Sequence, residues 1–144
     1  MLQYTGGTTG VSKGAVLLHR NLVANILQAE AWYQPALKKI PPGEQIVTVC
    51  ALPLYHIFGF NTNMMLGMRM GGCNILIANP RDFSGVLKEL SQQRFHSFPA
   101  VNTLFNALVN HPDFDKVDWS SLKISVAGGM AVQQATARLW LDKT

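Results

Sequence analysis

A chain of 144 residues with 48% apolar side chains is long enough for one packed core and too hydrophobic for a disordered segment. Its net charge of +4 is the balance of 12 Lys+Arg against 8 Asp+Glu spread along the chain. The longest basic cluster, Lys38-Lys39, is too short for a nucleic-acid patch, so no nucleic-acid partner is expected; the positive balance suits an anionic small molecule or a solvated surface equally.

Residues 1–4 read as the stub of a strand. Residues 5–14 then hold four glycines, three threonines and one lysine in ten positions. Residues 15–18 are a short apolar run expected to extend the structure back across the sheet. A helix follows to about Tyr33, with Leu22, Ile26, Ala29 and Tyr33 at helical spacing. Pro35 is expected to end it, and Pro41-Pro42-Gly43 marks a loop. Residues 45–52 are β-branched and nearly continuous, as in a strand buried on both faces. Pro53-Leu54-Tyr55-His56 turns the chain, and residues 57–70 read as a buried helix ended by Gly71-Gly72.

Residues 73–78 form the next expected strand. An amphipathic helix follows over 83–94, with Val86, Leu87 and Leu90 inward. After a short strand at 95–99, Val101, Leu104, Phe105, Leu108 and Val109 define the clearest helix in the chain, stopped by His111-Pro112. Residues 113–121 read as a polar, acidic connection. Residues 122–127 are a last strand, followed by Gly128-Gly129 and a helix from about Val132. Strands alternating with helices from Gln45 onward predict βαβ crossovers: an α/β fold with a largely parallel sheet flanked by helices. Ligands on such sheets bind beyond the carboxyl ends of the strands, where residues 53–59 and 128–131 fall.

Cys50 and Cys73 both lie in apolar runs and are expected as buried, reduced core thiols; no Cys/His spacing matches a zinc site. Residues 1–3 lack the basic start of a secretory signal. No apolar run reaches membrane-spanning length without Pro, His or Arg. A cytoplasmic protein is expected, with peripheral contact at a membrane surface left open.

Three stretches carry chemistry. In residues 4–14 the glycines let backbone N–H groups approach a ligand, the threonines add hydroxyl donors, and Lys13 adds a charge. A polyphosphate needs that set, although a surface loop also favours Gly and Thr. The Walker spacing fails, because Lys13 is followed by Gly14, and the dinucleotide G-x-G-x-x-G fails too. His56 stands among apolar residues after a strand. Taken alone, such a histidine is more often a satisfied core residue than a functional one. Gly128-Gly129 closes another strand and permits close approach of a ligand.

Together these stretches resemble the adenylate-forming (AMP-binding) superfamily of acyl-CoA synthetases, luciferases and peptide-synthetase adenylation domains. Residues 4–14 resemble its Y-T-[SGT]-G-T-T-G-x-P-K-G signature, with Ser12 where the family usually has Pro; that relaxes φ but removes no phosphate donor. Residues 52–59 resemble its L-P-[LM]-[FY]-H-x-x-[GA] motif. Residues 125–131 resemble S-x-G-G-[AGM]-P-[LV], with Ala131 where Pro is common. Gly6, together with residues 79–82 and 101–108, is similar to the bacterial long-chain fatty acid–CoA ligases, so the resemblance covers essentially the whole chain.

The resemblance implies a partial N-terminal AMP-binding domain over residues 1–144, without the C-terminal lid domain. It implies ATP, Mg²⁺ and CoA as cofactors, and activation of a long-chain fatty acid to an acyl-adenylate that is passed to CoA. Thr5, Gly6, Gly7, Thr8, Thr9 and Gly10 would hold the phosphates, with Lys13 and Gly14 beside them and the Thr5 hydroxyl assisting Mg²⁺. His56 would lie at the acyl pocket as the catalytic histidine that orients the carboxylate. Phe60 would gate the fatty-acid tunnel, or serve as a core aromatic. Met64, Met65, Leu66 and Met68 suit a forgiving tunnel lining or a helix core. Gly128, Gly129 and Met130 would pass beside the adenine. The family's Mg²⁺-binding Glu, ribose-binding Asp and lid Lys fall past Thr144, so an internal piece of a longer ligase is expected, with negligible ligase activity alone. Another adenylate-forming acid ligase and a truncated, non-catalytic nucleotide-binding module are the alternatives.

Overall fold

The computed structural model describes residues 1–5 and 11–144, with Thr5 described by its backbone alone. Two sheets are present among these residues. Strand β1 (Leu2–Thr5) pairs antiparallel with β2 (Lys13–Val16), Thr5 opposite Lys13. The apolar run after the glycine loop thus returns along β1 as a separate ribbon rather than joining the main sheet.

The main sheet is built from β3 (Val47–Cys50), β4 (Cys73–Leu76), β5 (Ser97–Ala100) and β6 (Ile124–Ala127), all parallel, in the order β4-β3-β5-β6. Helix α1 (His19–Leu37) and the helical run 57–70 cover one face. That run comprises α2 (Ile57–Gly59), a π-helical turn (Phe60–Met65) and α3 (Leu66–Met70). Helices α4 (Phe83–Leu90), α5 (Asn102–Val109) and α6 (Gln134–Lys143) cover the other.

Strand alternation assigns each side chain to a layer. On β6, Ile124 and Val126 pack with Ile26, Tyr33 and Leu66. Ser125 faces the opposite layer, where its hydroxyl accepts from the Trp140 indole at 2.9 Å. The larger core joins Phe95, Phe98, Phe105, Phe114, Trp119 and Trp140 through edge-to-face and stacked contacts, with ring centroids 4.5–6.3 Å apart. Val86, Leu87 and Leu90 of α4 are buried there as their spacing predicts.

Four expectations need correction. Helix α1 runs through Pro35 to Leu37. Proline deprives the Ala31 carbonyl of its partner, but both residues are exposed to water, while Ala36 is buried and holds the last turn to the core. Residues 113–121 are not simply a polar connection, since Phe114, Val117 and Trp119 are all buried and the Trp119 indole donates to the Phe114 carbonyl. Cys50 is buried as expected, but Cys73, first residue of the edge strand β4, is exposed. Residues 57–70 are not uniformly buried either; Met68 is 64% exposed.

The π turn has an identifiable support. Asn63, fully buried within it, donates to the Val49 carbonyl at 3.0 Å and to Asn74 Oδ1 at 3.3 Å. Asn74 Nδ2 donates back to the Asn63 carbonyl at 3.1 Å. This amide clasp fastens the turn to β3 and β4 and satisfies the buried polar groups. Gly71 then ends α3 with φ +64°, a left-handed cap that glycine adopts without strain.

Two outcomes follow. Phe98→Ala removes a fully buried ring from the aromatic layer and should cost about 3–5 kcal/mol in urea unfolding, whereas exposed Trp32→Ala should cost much less. Of the two thiols, Cys73 should react with a thiol reagent in the native protein. Burial both shields Cys50 and raises its pKa, so it should react only on unfolding. Cys73→Ser should abolish the fast phase.

Candidate functional site

The chain leaves β3 for β4 across one face and leaves β5 for β6 across the other. The carboxyl ends of these two neighbouring strands therefore diverge, and a crevice opens between them. It measures about 270 Å³ and is bordered by Leu52, Pro53, Arg81 and Thr103. Residues 51–56 and 128–133 emerge on either side of this crest.

His56 is the N-cap of α2. Its Nδ1 accepts the Phe58 N–H at 3.1 Å, so the neutral ring carries its proton on Nε2. The residue is exposed, and no hydrogen bond to its Nε2 is made among the described residues. The turn before it is tight: His56 N–H donates to the Pro53 carbonyl at 3.0 Å. A Cβ on Gly59 would come within 2.6 Å of that same oxygen, so glycine is what lets α2 fold over the turn.

Phe58 joins this loop to the next. A Cβ on Gly128 would lie 2.9 Å from two carbons of the Phe58 ring. The ring therefore rests directly on the Gly128 backbone, and the sequence motifs at 52–60 and 125–131 meet in space. Gly128 N–H donates to the Ala100 carbonyl at 3.2 Å, Gly129 takes φ +77°, and Met130 is half exposed just beyond it. The ribbon approaches from the other side. Gln3 Nε2 donates to the Tyr55 carbonyl at 2.9 Å, tying β1 to the residue before His56. Lys13 is exposed opposite the Thr5 backbone, so these two positions bracket the glycine loop. Gly14 backs onto the Tyr4 ring, with a Cβ there 3.4 Å from it. Gly6, Gly7, Thr8, Thr9 and Gly10, and the Thr5 hydroxyl expected at Mg²⁺, lie outside what is described.

A groove of about 590 Å³ runs between α1 and the helical run 57–70, over β6. Trp32, Phe58, Thr62 and Val126 are among its walls. Asn61 Nδ2 donates to Asn25 Oδ1 at 2.8 Å, joining the π turn to α1. Phe60 is half-buried and not among the lining side chains, whereas Phe58 is. Leu66 is fully buried in the core. Met65 and Met68 instead line a shallower groove of about 330 Å³ with Val23, Ile26 and Leu27.

Sequence reasoning missed Phe58 and Asn102. The first lies inside a quoted motif but reads as one more core aromatic. The second is 4% exposed, and its Oδ1 accepts the Gln133 N–H at 3.0 Å. No local pattern marks a residue whose partner lies 31 positions away. Among the described residues no cluster of acidic, His and Cys side chains could hold a metal by itself, and no helix is long and apolar enough to cross a membrane.

Comparison with known proteins agrees with this geometry. The family model for AMP-binding enzymes matches residues 1–144. A long-chain-fatty-acid–CoA ligase of Escherichia coli O6:H1 is 53% identical over 143 residues, covering 99% of this chain and 25% of the relative. The chain thus spans about a quarter of the length of these curated relatives. Among solved structures, ATP-bound MatB from Rhodopseudomonas palustris superposes with a TM-score of 0.78 at 28% identity, over 99% of this chain and 26% of that one. The anthranilate CoA ligase AuaEII in complex with anthranoyl-AMP gives a TM-score of 0.80 at 27% identity, over 99% and 27%. The parallel sheet flanked by helices agrees with the family match: the chain belongs to the AMP-binding enzyme family.

Proposed function

We propose that this segment supplies the phosphate loop, the acyl groove and the base-contacting loop of a long-chain fatty acid–CoA ligase. The observation that carries the reading is the contact of Phe58 with Gly128, which sets the groove against the second glycine loop at the sheet crest. The ribbon bearing Lys13 is bonded to the same crest through Gln3 and Tyr55.

In the reaction assigned here, a fatty carboxylate oxygen attacks the α-phosphorus of ATP. The acyl–O–P bond forms as the bond to pyrophosphate breaks, and pyrophosphate leaves with the electron pair. The sulfur of CoA then attacks the acyl carbonyl, AMP leaves, and the thiol proton is released. Both reacting partners in the first step are anionic, so positioned charge and donors lower the barrier. Lys13 supplies the cation of the phosphate loop, and Thr5, Gly6, Gly7, Thr8, Thr9, Gly10 and Gly14 form the rest of it. The Thr5 hydroxyl would help to hold Mg²⁺ accompanying the ATP phosphates, and the ion would offset their negative charge.

His56 has one ring nitrogen committed to the Phe58 N–H, so its other nitrogen donates to a carboxylate oxygen and fixes the acid's orientation. Gly128, Gly129 and Met130 lie beside the adenine, where a backbone without Cβ at Gly128 admits both the Phe58 ring and a base. The groove takes the acyl tail. Phe58 is the aromatic that faces it, and we favour it over Phe60 as the gate.

The test is a chimera in which this segment replaces the matching quarter of the E. coli relative. Lys13→Ala should lower kcat/KM for ATP on the order of 10²-fold, as loss of one positioned charge does; unchanged ATP use would overturn the phosphate-loop assignment. Phe58→Ala should shift the acyl-length profile more than Phe60→Ala, read from rates across a series of fatty acids. The reverse order would restore Phe60 as the gate. Gly128→Ala should cost about 1–3 kcal/mol of stability by overpacking, with part recovered in a Phe58→Leu background. Strictly additive effects of the two changes in thermal melts would argue against the contact.

A further inference from the structure

We propose that Asn102 is a positioning residue for the nucleotide, acting through the loop of residues 128–132; this rests on the reading of that loop as base-contacting. Among the described residues, the hydrogen bonds that hold the loop lie at its two ends. At the start, Gly128 N–H bonds the Ala100 carbonyl at 3.2 Å. At the finish, Gln133 N–H bonds Asn102 Oδ1 at 3.0 Å. Both acceptors come from the junction of β5 and α5, two residues apart. Gly129, Met130 and Ala131 make no hydrogen bond among the described residues, and Gly129 and Met130 are exposed. The path of the loop is therefore set by where its two ends are pinned.

The two pins differ in kind. The Ala100 carbonyl continues the β5–β6 ladder and belongs to the sheet. Asn102 is a side chain, 4% exposed, on the first residue of α5. Its oxygen accepts the backbone N–H of the residue that caps α6. One helical turn on, Asn106 Oδ1 accepts from the Thr136 hydroxyl at 3.2 Å. The first rung governs where the loop ends; the second holds the body of α6 to α5. This division separates positioning from simple packing. Removing the Asn102 oxygen frees the far end of the loop and leaves a part-buried N–H unpaired.

Two measurements on the chimera test this. Asn102→Ala should raise KM for ATP about 10-fold, with KM for the fatty acid and kcat moving far less. Asn102→Asp retains an acceptor oxygen and should stay within about twofold of the parent. Thr136→Val breaks only the second rung; it should lower the melting temperature while leaving KM for ATP near the parent value. Amide hydrogen exchange at Gln133 should accelerate in Asn102→Ala and not in Asn102→Asp. The proposal fails if exchange accelerates while KM for ATP is unchanged. It also fails if the Ala and Asp variants behave alike, or if Thr136→Val raises KM for ATP as much as Asn102→Ala. Lys13→Ala separates this outcome from failure of the underlying reading. If Lys13→Ala cripples ATP use and Asn102→Ala does not, only the Asn102 role is lost; if neither does, the nucleotide site itself is misassigned.

Discussion

A parallel sheet must be covered on both faces, because each crossover lays a helix against it and the strands between carry apolar side chains on both sides. In this chain that requirement sets the rest. The helical run 57–70 returns across one face to reach β4, and α4 and α5 then cross the other to reach β5 and β6. The strand order must then reverse beside β3. Where it reverses, the loops that follow β3 and β5 part, and the crest between them is open. The residues proposed to carry chemistry sit at this opening because the covering of the sheet created it.

Stability and chemistry are drawn from different layers. The aromatic cluster of Phe95, Phe98, Phe105, Phe114, Trp119 and Trp140 lies on the α4–α5–α6 face. The opposite face has a smaller buried cluster and, above β6, a groove. Polar groups mark that side: the Asn63–Asn74 clasp, the Asn61–Asn25 bond, and the Glu30–Arg69 ion pair at 3.0 Å linking α1 to α3. A face held by amide pairs can stand over a cavity, because its attachments are directional and do not require continuous apolar filling.

Much of this was legible from the chain itself. Helices α4 and α5 announce themselves by their apolar spacing, and the parallel sheet by the alternation of elements. The three motifs are legible because the chemistry proposed for them is local: glycine for close approach, histidine for a donor, threonine and lysine for phosphate. What escaped depends on contacts between distant residues. Phe114, Val117 and Trp119 lie in a polar-looking segment with no regular period, and only the aromatic cluster explains their burial. Cys73 looks like a core residue until β4 is known to be an edge strand. Pro35 would end an isolated helix; here the buried Ala36 pulls one more turn into place. Asn63 and Asn102 are ordinary asparagines until their partners on other elements are seen.

The ring of Phe58 touches two places at once, since it lines the groove and rests on Gly128. Such a contact links what fills the groove to what sits against the second glycine loop. In the proposed ligase, a tail that presses the ring toward Gly128 would narrow the space beside the loop, and a ligand held at the loop would limit how far the ring can retreat. Such linkage is reciprocal: the factor by which one ligand alters the affinity of the second equals the factor by which the second alters the first. Under the proposed function, a single aromatic side chain is therefore sufficient to make binding of the acid and of the nucleotide a joint equilibrium, with no movement of the sheet.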